Sequence, residues 1–249
     1  MKNKILGVEI DNVNLSEAVS RIQGFLNSSQ SHYVVTPGPE FLMLAKEDQE
    51  FKNILNNASL SICDGTGLWL ASRYLKKPLT ARITGIDLIW QLAKKFEKSN
   101  YSFYLLGAKD KIAEKAAEKM VKRYPGIKIV GSESGFRFWG MRLSDKVIID
   151  KINRAKPDLL LVAFGAPKQE KWIYHNLPKL KSVKVAIGVG GSFDFIAGKI
   201  KRAPVFFRKM GFEWLWRLLM EPWRLPRILR ATYHFTKEII RSKKNEKLV

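Results

Sequence analysis

Asp64 is the residue whose type and position most directly suggest chemistry. It follows the short apolar run Leu60 to Cys63 and begins the sequence Asp64-Gly65-Thr66-Gly67. A run of this kind, ended by a glycine turn, predicts a buried strand, so the carboxylate would stand at the end of that strand. A carboxylate facing a crevice is suited to general acid or base catalysis. The alternative is that Asp64 only caps the helix that follows.

A second group of residues is suited to an anionic ligand. The turn from Gly188 to Asp194 follows another apolar run and contains Gly190 and Gly191. Glycines at a strand-to-helix turn let a ligand approach the backbone, and free N–H groups at the helix start attract anions. Arg82, between two threonines, could hold a phosphate, although a surface arginine is the simpler interpretation. Asp194 could equally serve as a cap or in a local turn.

Further polar residues follow two other apolar runs. Lys168 and Gln169 could contact a nucleotide or a sugar, and their alternative is the exposed start of a helix. Thr36 comes directly after the β-rich run His32 to Val35. Because ligands bind beyond the carboxyl ends of the strands in an open parallel sheet, these residues would line one rim.

The sequence lacks the motifs of several other ligand classes. It has neither a complete GxGxxG nor a Walker A motif, which disfavours a dinucleotide-dependent oxidoreductase and a P-loop NTPase. It has no Asp-x-Asp pair, no His/Cys cluster and no HExxH, so we predict neither a protein-held metal nor a cofactor. The single cysteine, Cys63, is expected to be a small buried residue. One cysteine cannot form an internal disulfide, which fits a reducing compartment.

The segments that would position these residues alternate between strands and helices. Apolar runs are separated by stretches such as Leu15 to Asn27, in which apolar residues recur at i, i+3 and i+4. This alternation predicts an α/β fold, a Rossmann-like and mostly parallel sheet with helices on both faces. We also predict a strand or hairpin over Lys4 to Val13 with its turn at Asp11-Asn12, a strand from Ile127 to Val130 and a loop from Gly131 to Arg142.

The composition changes near Arg202, which divides the chain into a Rossmann-like core, 1–202, and a basic amphipathic helical appendage, 203–249. The whole chain has a formal net charge of +21, and from Lys199 to Val249 fourteen Lys or Arg stand against four Glu, a net of +10. A balance this basic indicates a polyanionic partner, either nucleic acid or an anionic lipid surface.

The appendage interleaves apolar and basic residues. From Leu225 onward the apolar residues recur at helical spacing, and Pro222 and Pro226 predict a bent or broken helix pair. A basic helix with Trp and Phe on its apolar side is typical of a helix that lies on a membrane surface. The alternative is that the helix packs on its own domain or on another subunit.

The amphipathic stripes favour the membrane over nucleic acid as the partner. The sequence carries no RNP, KH or helix-turn-helix signal, so a nucleic-acid-binding module is the weaker interpretation of the charge. No stretch approaches about 18 uninterrupted apolar residues, and the N-terminus does not resemble a signal peptide. We therefore expect a cytoplasmic protein that binds the membrane peripherally, without a transmembrane helix, and that could self-associate in solution.

Five motifs along the chain form a recognisable set: PGPEFLMLA, CDGTGL, RITGIDL, FGAPKQEKW and GVGGSFDFIAGKIKRAP, the last followed by GFEWLWRLLMEPWR. Together they resemble the WecG/TagA/CpsF glycosyltransferase family over nearly the whole chain. Members of that family use a nucleotide sugar to extend an undecaprenyl-diphosphate-linked sugar on the inner face of the bacterial membrane. The resemblance is greatest to the TagA branch, which implies transfer of N-acetylmannosamine from UDP to lipid-linked N-acetylglucosamine in wall teichoic acid assembly. The WecG branch implies the corresponding uronic acid as an alternative donor sugar.

The resemblance also implies roles for single residues. Asp64 matches the proposed general base, Thr36 a pocket residue beside it, and Arg82 a residue thought to steady the leaving diphosphate. Positions in the motifs of the nucleotide-sugar pocket are Lys168, Gln169, Gly190, Gly191 and Asp194. The appendage, taken to close over the site at the membrane, contains Arg217, Arg224 and Arg227. The implied reaction is an inverting, metal-independent transfer between a UDP-sugar donor and an undecaprenyl-diphosphate-linked acceptor.

Overall fold

A parallel sheet of six strands forms the centre of the molecule in the computed structural model, which describes residues 1–109, 111–134 and 144–246. The strands are β1 Lys2–Ile5, β2 Val8–Asp11, β3 His32–Val35, β4 Leu60–Ser61, β5 Ser102–Gly107, β6 Lys128–Glu133, β7 Leu159–Ala163 and β8 Val185–Gly188. The six-stranded sheet has the order β4-β3-β8-β7-β5-β6, and all of its pairings are parallel. The predicted α/β fold is confirmed.

Helices cover both faces of this sheet. The α-helices are α1 Leu15–Leu26, α2 Pro39–Glu47, α3 Gln49–Asn56, α4 Thr66–Tyr74, α5 Gly85–Phe96, α6 Ile112–Arg123, α7 Asp145–Ala155, α8 Lys168–Asn176, α9 Ser192–Ile196, α10 Val205–Lys209, α11 Glu213–Met220, α12 Leu225–Leu229 and α13 Phe235–Glu246. Successive residues of β7 point to opposite faces, so that Leu160 and Leu161 belong to different buried clusters. The core therefore has two layers, one on each side of the sheet.

The central strands are buried along their whole length. Every residue of β5, β7 and β8 is buried, as expected for strands of a parallel sheet that is covered on both faces. This is why they appear in the sequence as continuous apolar runs rather than as alternating patterns. It also brings the polar residues that follow these strands to the same edge of the sheet.

Two local predictions are wrong. The N-terminal hairpin turns at Leu6 and Gly7, which both have positive φ angles (47° and 82°), and not at Asp11-Asn12, because Asp11 ends β2. The strand predicted to end at Val130 continues to Glu133 through a register shift beside Phe103 and Tyr104. The rest of the predicted loop, 135–143 with Phe136, Phe138 and Trp139, lies outside the described residues.

The C-terminal segment is helical and bent, as predicted. Helix α11 ends at Met220, a 3₁₀ turn follows over Pro222–Arg224, and α12 continues through a π-helical turn, Arg230–His234, into α13. Phe235 and Ile239 are buried in the cluster that also contains residues of α2. This part of the tail therefore packs on its own domain, which was the alternative to a membrane-bound helix.

Among the helices described, none combines the length and the apolar character needed to span a bilayer. The division of the chain at Arg202 remains a prediction.

Candidate active site

A cavity of about 240 Å³ lies at the carboxyl ends of β3, β4, β7 and β8. Its walls come from both parts of the chain. Residues that the sequence singled out and that line this cavity are Thr36, Asp64, Arg82, Gln169, Gly190, Gly191, Arg217 and Arg227. The edge of the sheet thus brings together positions that are up to 191 residues apart in the sequence.

Asp64 is held in place by its backbone. Its N–H donates a hydrogen bond to the carbonyl oxygen of Pro37 (2.9 Å). A side chain at Gly38 would lie 2.8 Å from the Asp64 carbonyl oxygen, so this glycine permits the close approach. Helix α4 is capped by Gly65, at a φ of 91°, and not by Asp64. The capping alternative is therefore excluded, and the carboxylate faces the cavity.

The environment of Asp64 favours a base that works near neutral pH. Burial raises the pKa of Asp64 to about 7, and the negative charge of Glu213 adds to this effect. The positive charge of Arg82 and a hydrogen bond from the Gly85 backbone N–H act in the opposite direction. A carboxylate with a pKa near the working pH is well suited to accept a proton and later release it.

Arg82 connects the core to the tail. Its Nη1 donates to Oγ1 of Thr66 (2.8 Å), and its Nη2 donates to the carbonyl oxygen of Arg208 (3.1 Å). The guanidinium is partly buried and lines the cavity. It is therefore not a free surface arginine, which was the simpler interpretation of the sequence.

Thr36 and Gln169 organise the glycine turns around the cavity. The buried Thr36 hydroxyl donates to the Gly188 carbonyl oxygen (3.0 Å). The Oε1 atom of the buried Gln169 accepts hydrogen bonds from the backbone N–H groups of Gly165 (3.1 Å) and Gly190 (3.0 Å). A single amide oxygen thus joins the turns that follow β7 and β8.

The other end of the Gln169 side chain is also engaged. Its Nε2 donates to Oε1 of Glu170 (2.6 Å), and Glu170 is fully buried beneath the site. Burial raises the pKa of Glu170 to about 7. Lys168, by contrast, is exposed at the start of α8 and does not line the cavity. Of the two polar residues in this motif, the structure places only Gln169 at the site.

A second cavity, of about 580 Å³, adjoins the first and shares Gly190, Gly191 and Arg227 with it. Asp194 and Arg224 line this second space. The side chain of Asp194 lies 3.8 Å from Nζ of Lys199. The candidate site residues are therefore divided between two connected cavities rather than gathered in one.

The tail arginines are held by carboxylates. The Nε atoms of Arg217 and Arg224 lie 2.9 Å and 2.7 Å from the same oxygen of Glu221. The Arg217 guanidinium also lies over the ring of Phe195, 5.0 Å from its centre. Arg227 pairs with Glu40 of α2. Burial lowers the pKa of Arg224, and the positive charge of the neighbouring Arg217 lowers it further.

Glycine is required where Arg217 meets the core. A side chain at Gly191 would lie 2.6 Å from Nη2 of Arg217, so the guanidinium packs directly against the backbone of the glycine turn. This contact joins a cation of the tail to the turn that the sequence predicts to bind an anion. A diphosphate placed at this turn would therefore meet the Arg217 guanidinium beside the backbone of the glycines, although the Gly190 N–H already donates to Gln169.

Three acidic residues that shape the site were not predicted from the sequence. Glu213 lines the cavity, Glu221 holds two arginines, and Glu170 supports Gln169. Glu213 and Glu221 are the only acids between Lys199 and Arg230, and that isolation among cations was the available signal. Within the described ranges, no group of three or more His, Cys, Asp or Glu residues is arranged to hold a metal ion.

The fold and the site define an α/β enzyme with a polar cavity at the carboxyl edge of its sheet, where a carboxylate and several arginines meet. Comparison with protein families identifies the class of enzyme. The model of the Glycosyl transferase WecG/TagA/CpsF family matches residues 3–248. The chain belongs to this family, and it is a glycosyltransferase.

Curated relatives agree with this assignment. The chain is 36% identical over 248 residues to proteins of Staphylococcus aureus strains MRSA252 and MW2, and the match covers 99% of this chain and 95% of each relative. A protein of strain NCTC 8325 / PS 47 matches to the same extent. All three are named N-acetylglucosaminyldiphosphoundecaprenol N-acetyl-beta-D-mannosaminyltransferase.

Proposed function

We propose that this glycosyltransferase moves N-acetylmannosamine from UDP-N-acetylmannosamine onto N-acetylglucosamine linked to undecaprenyl diphosphate, an early step of wall teichoic acid assembly. The names of the relatives support the sugar and the acceptor. The observation that carries the proposal is the position of Asp64, whose pKa is raised to about 7 at a cavity that several arginines also line. This arrangement provides a base for the acceptor and cations for the departing diphosphate.

In the proposed reaction Asp64 is the general base. The acceptor sugar hydroxyl attacks the anomeric carbon of the donor, its oxygen forms the new glycosidic bond, and its proton passes to Asp64. The bond between the anomeric carbon and the UDP oxygen breaks, and UDP leaves with the bonding electrons. One displacement of this kind inverts the anomeric configuration. General base catalysis contributes about 10²–10⁴-fold to such a rate.

The leaving UDP would be stabilised by cations from both parts of the chain. Arg82 acts from the core, and Arg217, Arg224 and Arg227 act from the tail. The glycine turn lets the diphosphate approach these cations closely because Gly190 and Gly191 carry no side chain. In this mechanism the transfer requires no metal ion.

We further propose that the tail binds the anionic inner face of the cell membrane peripherally, where the lipid-linked acceptor is found. Large apolar side chains are exposed along the tail, including Phe206, Leu219, Trp223 and Tyr233, at 63–73%. Basic residues alternate with them, and each Lys or Arg near an anionic leaflet adds about 1 kcal/mol of binding. Without a membrane the same surface would favour self-association. We propose no nucleic-acid partner.

The first test is UDP release by the purified protein. It uses UDP-N-acetylmannosamine as donor and a lipid-diphosphate-N-acetylglucosamine analogue as acceptor, with and without EDTA. We expect release that requires the acceptor and is insensitive to EDTA. Release abolished by EDTA would retain the transfer but contradict the arginine-based stabilisation of UDP. Release only with the mannosaminuronic acid donor would replace the proposed sugar, and no release with either donor would overturn the proposed function.

A further inference from the structure

We propose that an apolar groove beside the candidate active site binds the first isoprene units of the acceptor lipid, an inference that rests on the proposed function. The groove has a volume of about 560 Å³ and lies between α4 of the core, the segment Met210–Trp214, and α13 of the tail. Apolar side chains that line it include Leu70, Ala71, Tyr74, Trp214, Phe235 and Ile239. Its polar lining side chains are the hydroxyl groups of Thr66, Thr232, Thr236 and Tyr74, and the Trp214 indole.

The groove adjoins the catalytic cavity. Both are lined by Gly65, Thr66, Gly211 and Trp214. Gly65 follows Asp64 directly in the chain. The two spaces meet where Gly211 packs against Thr66, since a side chain at Gly211 would lie 2.5 Å from Cγ2 of Thr66. A molecule that occupies both the groove and the cavity must pass this junction.

The junction between the two spaces is polar and positively charged. The Thr66 hydroxyl accepts a hydrogen bond from Nη1 of Arg82 (2.8 Å), and Thr66 lines both spaces. From the cavity to the groove the lining thus changes from a carboxylate, through a guanidinium, to apolar side chains. The proposed acceptor has the same order of groups, a sugar hydroxyl, a diphosphate and a polyprenyl chain.

The rim of the groove also fits a lipid that enters from a bilayer. Leu70, Tyr74 and Ile240 line the groove and are 42–54% exposed. Nζ of Lys243 lies 3.6 Å from the centre of the Tyr74 ring, so a cation borders this apolar rim. An apolar opening beside a basic residue matches the boundary between acyl chains and anionic headgroups. These features favour a polyprenyl chain over a second copy of this protein as the occupant.

The binding test uses diphosphates that lack the sugar. We expect farnesyl diphosphate to bind the full-length protein at least about tenfold more tightly than isopentenyl diphosphate, because burial of about two methylene groups already supplies that factor. Thr236→Trp, which places bulk in the groove at an exposed position, should reduce the ratio to less than about threefold. Tyr233→Trp, at a position that is 63% exposed and outside the groove, should retain it. Calorimetry measures the affinity of the wild-type protein and of both variants for each diphosphate.

A second variant protects this test from a folding defect. Leu70→Asp places a charge at a lining position that is 54% exposed, so it should fold and still lose the preference for farnesyl diphosphate. Equal affinity of the wild-type protein for the two diphosphates would overturn the proposal that the groove binds isoprene units. A loss of farnesyl binding in Tyr233→Trp as large as that in Thr236→Trp would overturn it as well.

The kinetic test separates this inference from the proposed function. Acceptors with N-acetylglucosamine diphosphate linked to methyl, geranyl or farnesyl groups are compared without vesicles. We expect kcat/KM to rise at least about tenfold from methyl to farnesyl in the wild-type protein and to rise much less in Thr236→Trp. Equal transfer to every acceptor would overturn the groove and leave the function intact. It is also the result expected if the groove holds a bilayer acyl chain or a second copy of the chain.

Failure of the proposed function alone would give a different pattern of results. No transfer to any acceptor, combined with the expected preference for farnesyl diphosphate, would overturn the proposed function while the groove kept its ligand. A change in sedimentation mass of Thr236→Trp, without any preference of the wild-type protein for farnesyl diphosphate, would assign the groove to self-association and overturn the inference.

Discussion

The core half of the candidate site and its tail half are held in different ways. In the core, Thr36 and Gln169 are buried, and their hydrogen bonds join backbone groups of the glycine turns. In the tail, Arg217 and Arg224 depend on the carboxylate of Glu221, and Arg227 depends on Glu40. The core half is therefore fixed by the fold itself, whereas the tail half is positioned by charge.

This difference indicates where the site can move. Buried backbone hydrogen bonds are costly to break, because the freed groups would remain unsatisfied. Partly exposed ion pairs contribute about 0–1 kcal/mol each and weaken with salt. The pairs between the tail and α2, Arg227 with Glu40 and Lys46 with Glu238, belong to this weaker kind. We therefore expect changes of the core to affect chemistry, and changes of the tail to affect binding and location.

The largest expected effect comes from Asp64→Asn. This change keeps the shape of the side chain and removes the base, so kcat should fall about 10²–10⁴-fold. In the wild-type protein kcat/KM should rise with pH through about 7, because the base must be deprotonated and its pKa is about 7. Steady-state UDP release from pH 5.5 to 8.5 measures both. Full activity of Asp64→Asn would remove Asp64 from the mechanism.

The stability of the same variant provides an independent check. The pKa of Asp64 is about 7 in the folded protein and near 3.8 in the unfolded chain, so the folded state binds the proton more tightly. The free energy of unfolding should therefore decrease as pH rises from about 4 to 7 and level off above. Asp64→Asn lacks this loss and should be ~1–3 kcal/mol more stable than the wild-type protein at pH 8. Urea denaturation at pH 5 and pH 8 measures the difference.

The position of Asp64 was accessible from the sequence because its causes are local. An apolar run, a carboxylate and a glycine turn follow one another, and parallel strands bring such turns to one edge. The roles of Glu213 and Gln169 were not accessible in this way. Glu213 acts on Asp64 across 149 residues of sequence, and Gln169 joins two turns that are 25 residues apart. Contacts of this kind depend on how the elements pack, and such packing leaves no local pattern in the sequence.

The hairpin and the tail show the same limit on a smaller scale. A positive φ at Leu6 has no strong signal in the residue type, so the turn was placed at Asp11-Asn12, where the residues favour turns. The amphipathic pattern of the tail predicted its helices correctly. It could not separate a face that packs on α2, with Phe235 and Ile239, from one that remains exposed. Apolar residues occur among both the covered and the exposed positions, as Phe235 and Tyr233 show, and only the fold decides which of them are covered.

The next largest effect is expected from Arg217→Lys, which tests the tail half of the site. Lysine keeps the charge but loses the planar fork that contacts Glu221 and packs on Gly191. We expect kcat/KM for the donor to fall about tenfold, the value of a lost charge-assisted hydrogen bond. Arg241→Lys, an exposed change on α13, is the matched control and should leave the kinetics unchanged. Equal behaviour of the two variants would show that the Arg217 fork is not used.

A smaller effect is expected from Trp223→Ala, which separates location from chemistry. Trp223 is 73% exposed on the tail, and we expect its loss to weaken binding to anionic vesicles about 3–10-fold. Raising the salt concentration should weaken binding of the wild-type protein as well, because basic residues contribute through screened attraction. Val121→Ala, which is 41% exposed on α6, is the control and should bind as the wild type does. Co-sedimentation with vesicles measures the series, and salt-independent binding would contradict the electrostatic part.

The smallest effect on activity is expected from Glu170→Gln, which tests the support beneath the core half. The amide keeps an oxygen that can accept from Nε2 of Gln169, so kcat should change less than about threefold. Stability should change more than activity, because burial raises the pKa of Glu170 from 4.5 to about 7. The wild-type protein should lose stability as pH rises between those values, and Glu170→Gln should be ~1–3 kcal/mol more stable at pH 8 but not at pH 4.5. A large loss of kcat with unchanged stability would instead mean that the Glu170 charge acts on the reaction, and the core half would then depend on charge as the tail half does.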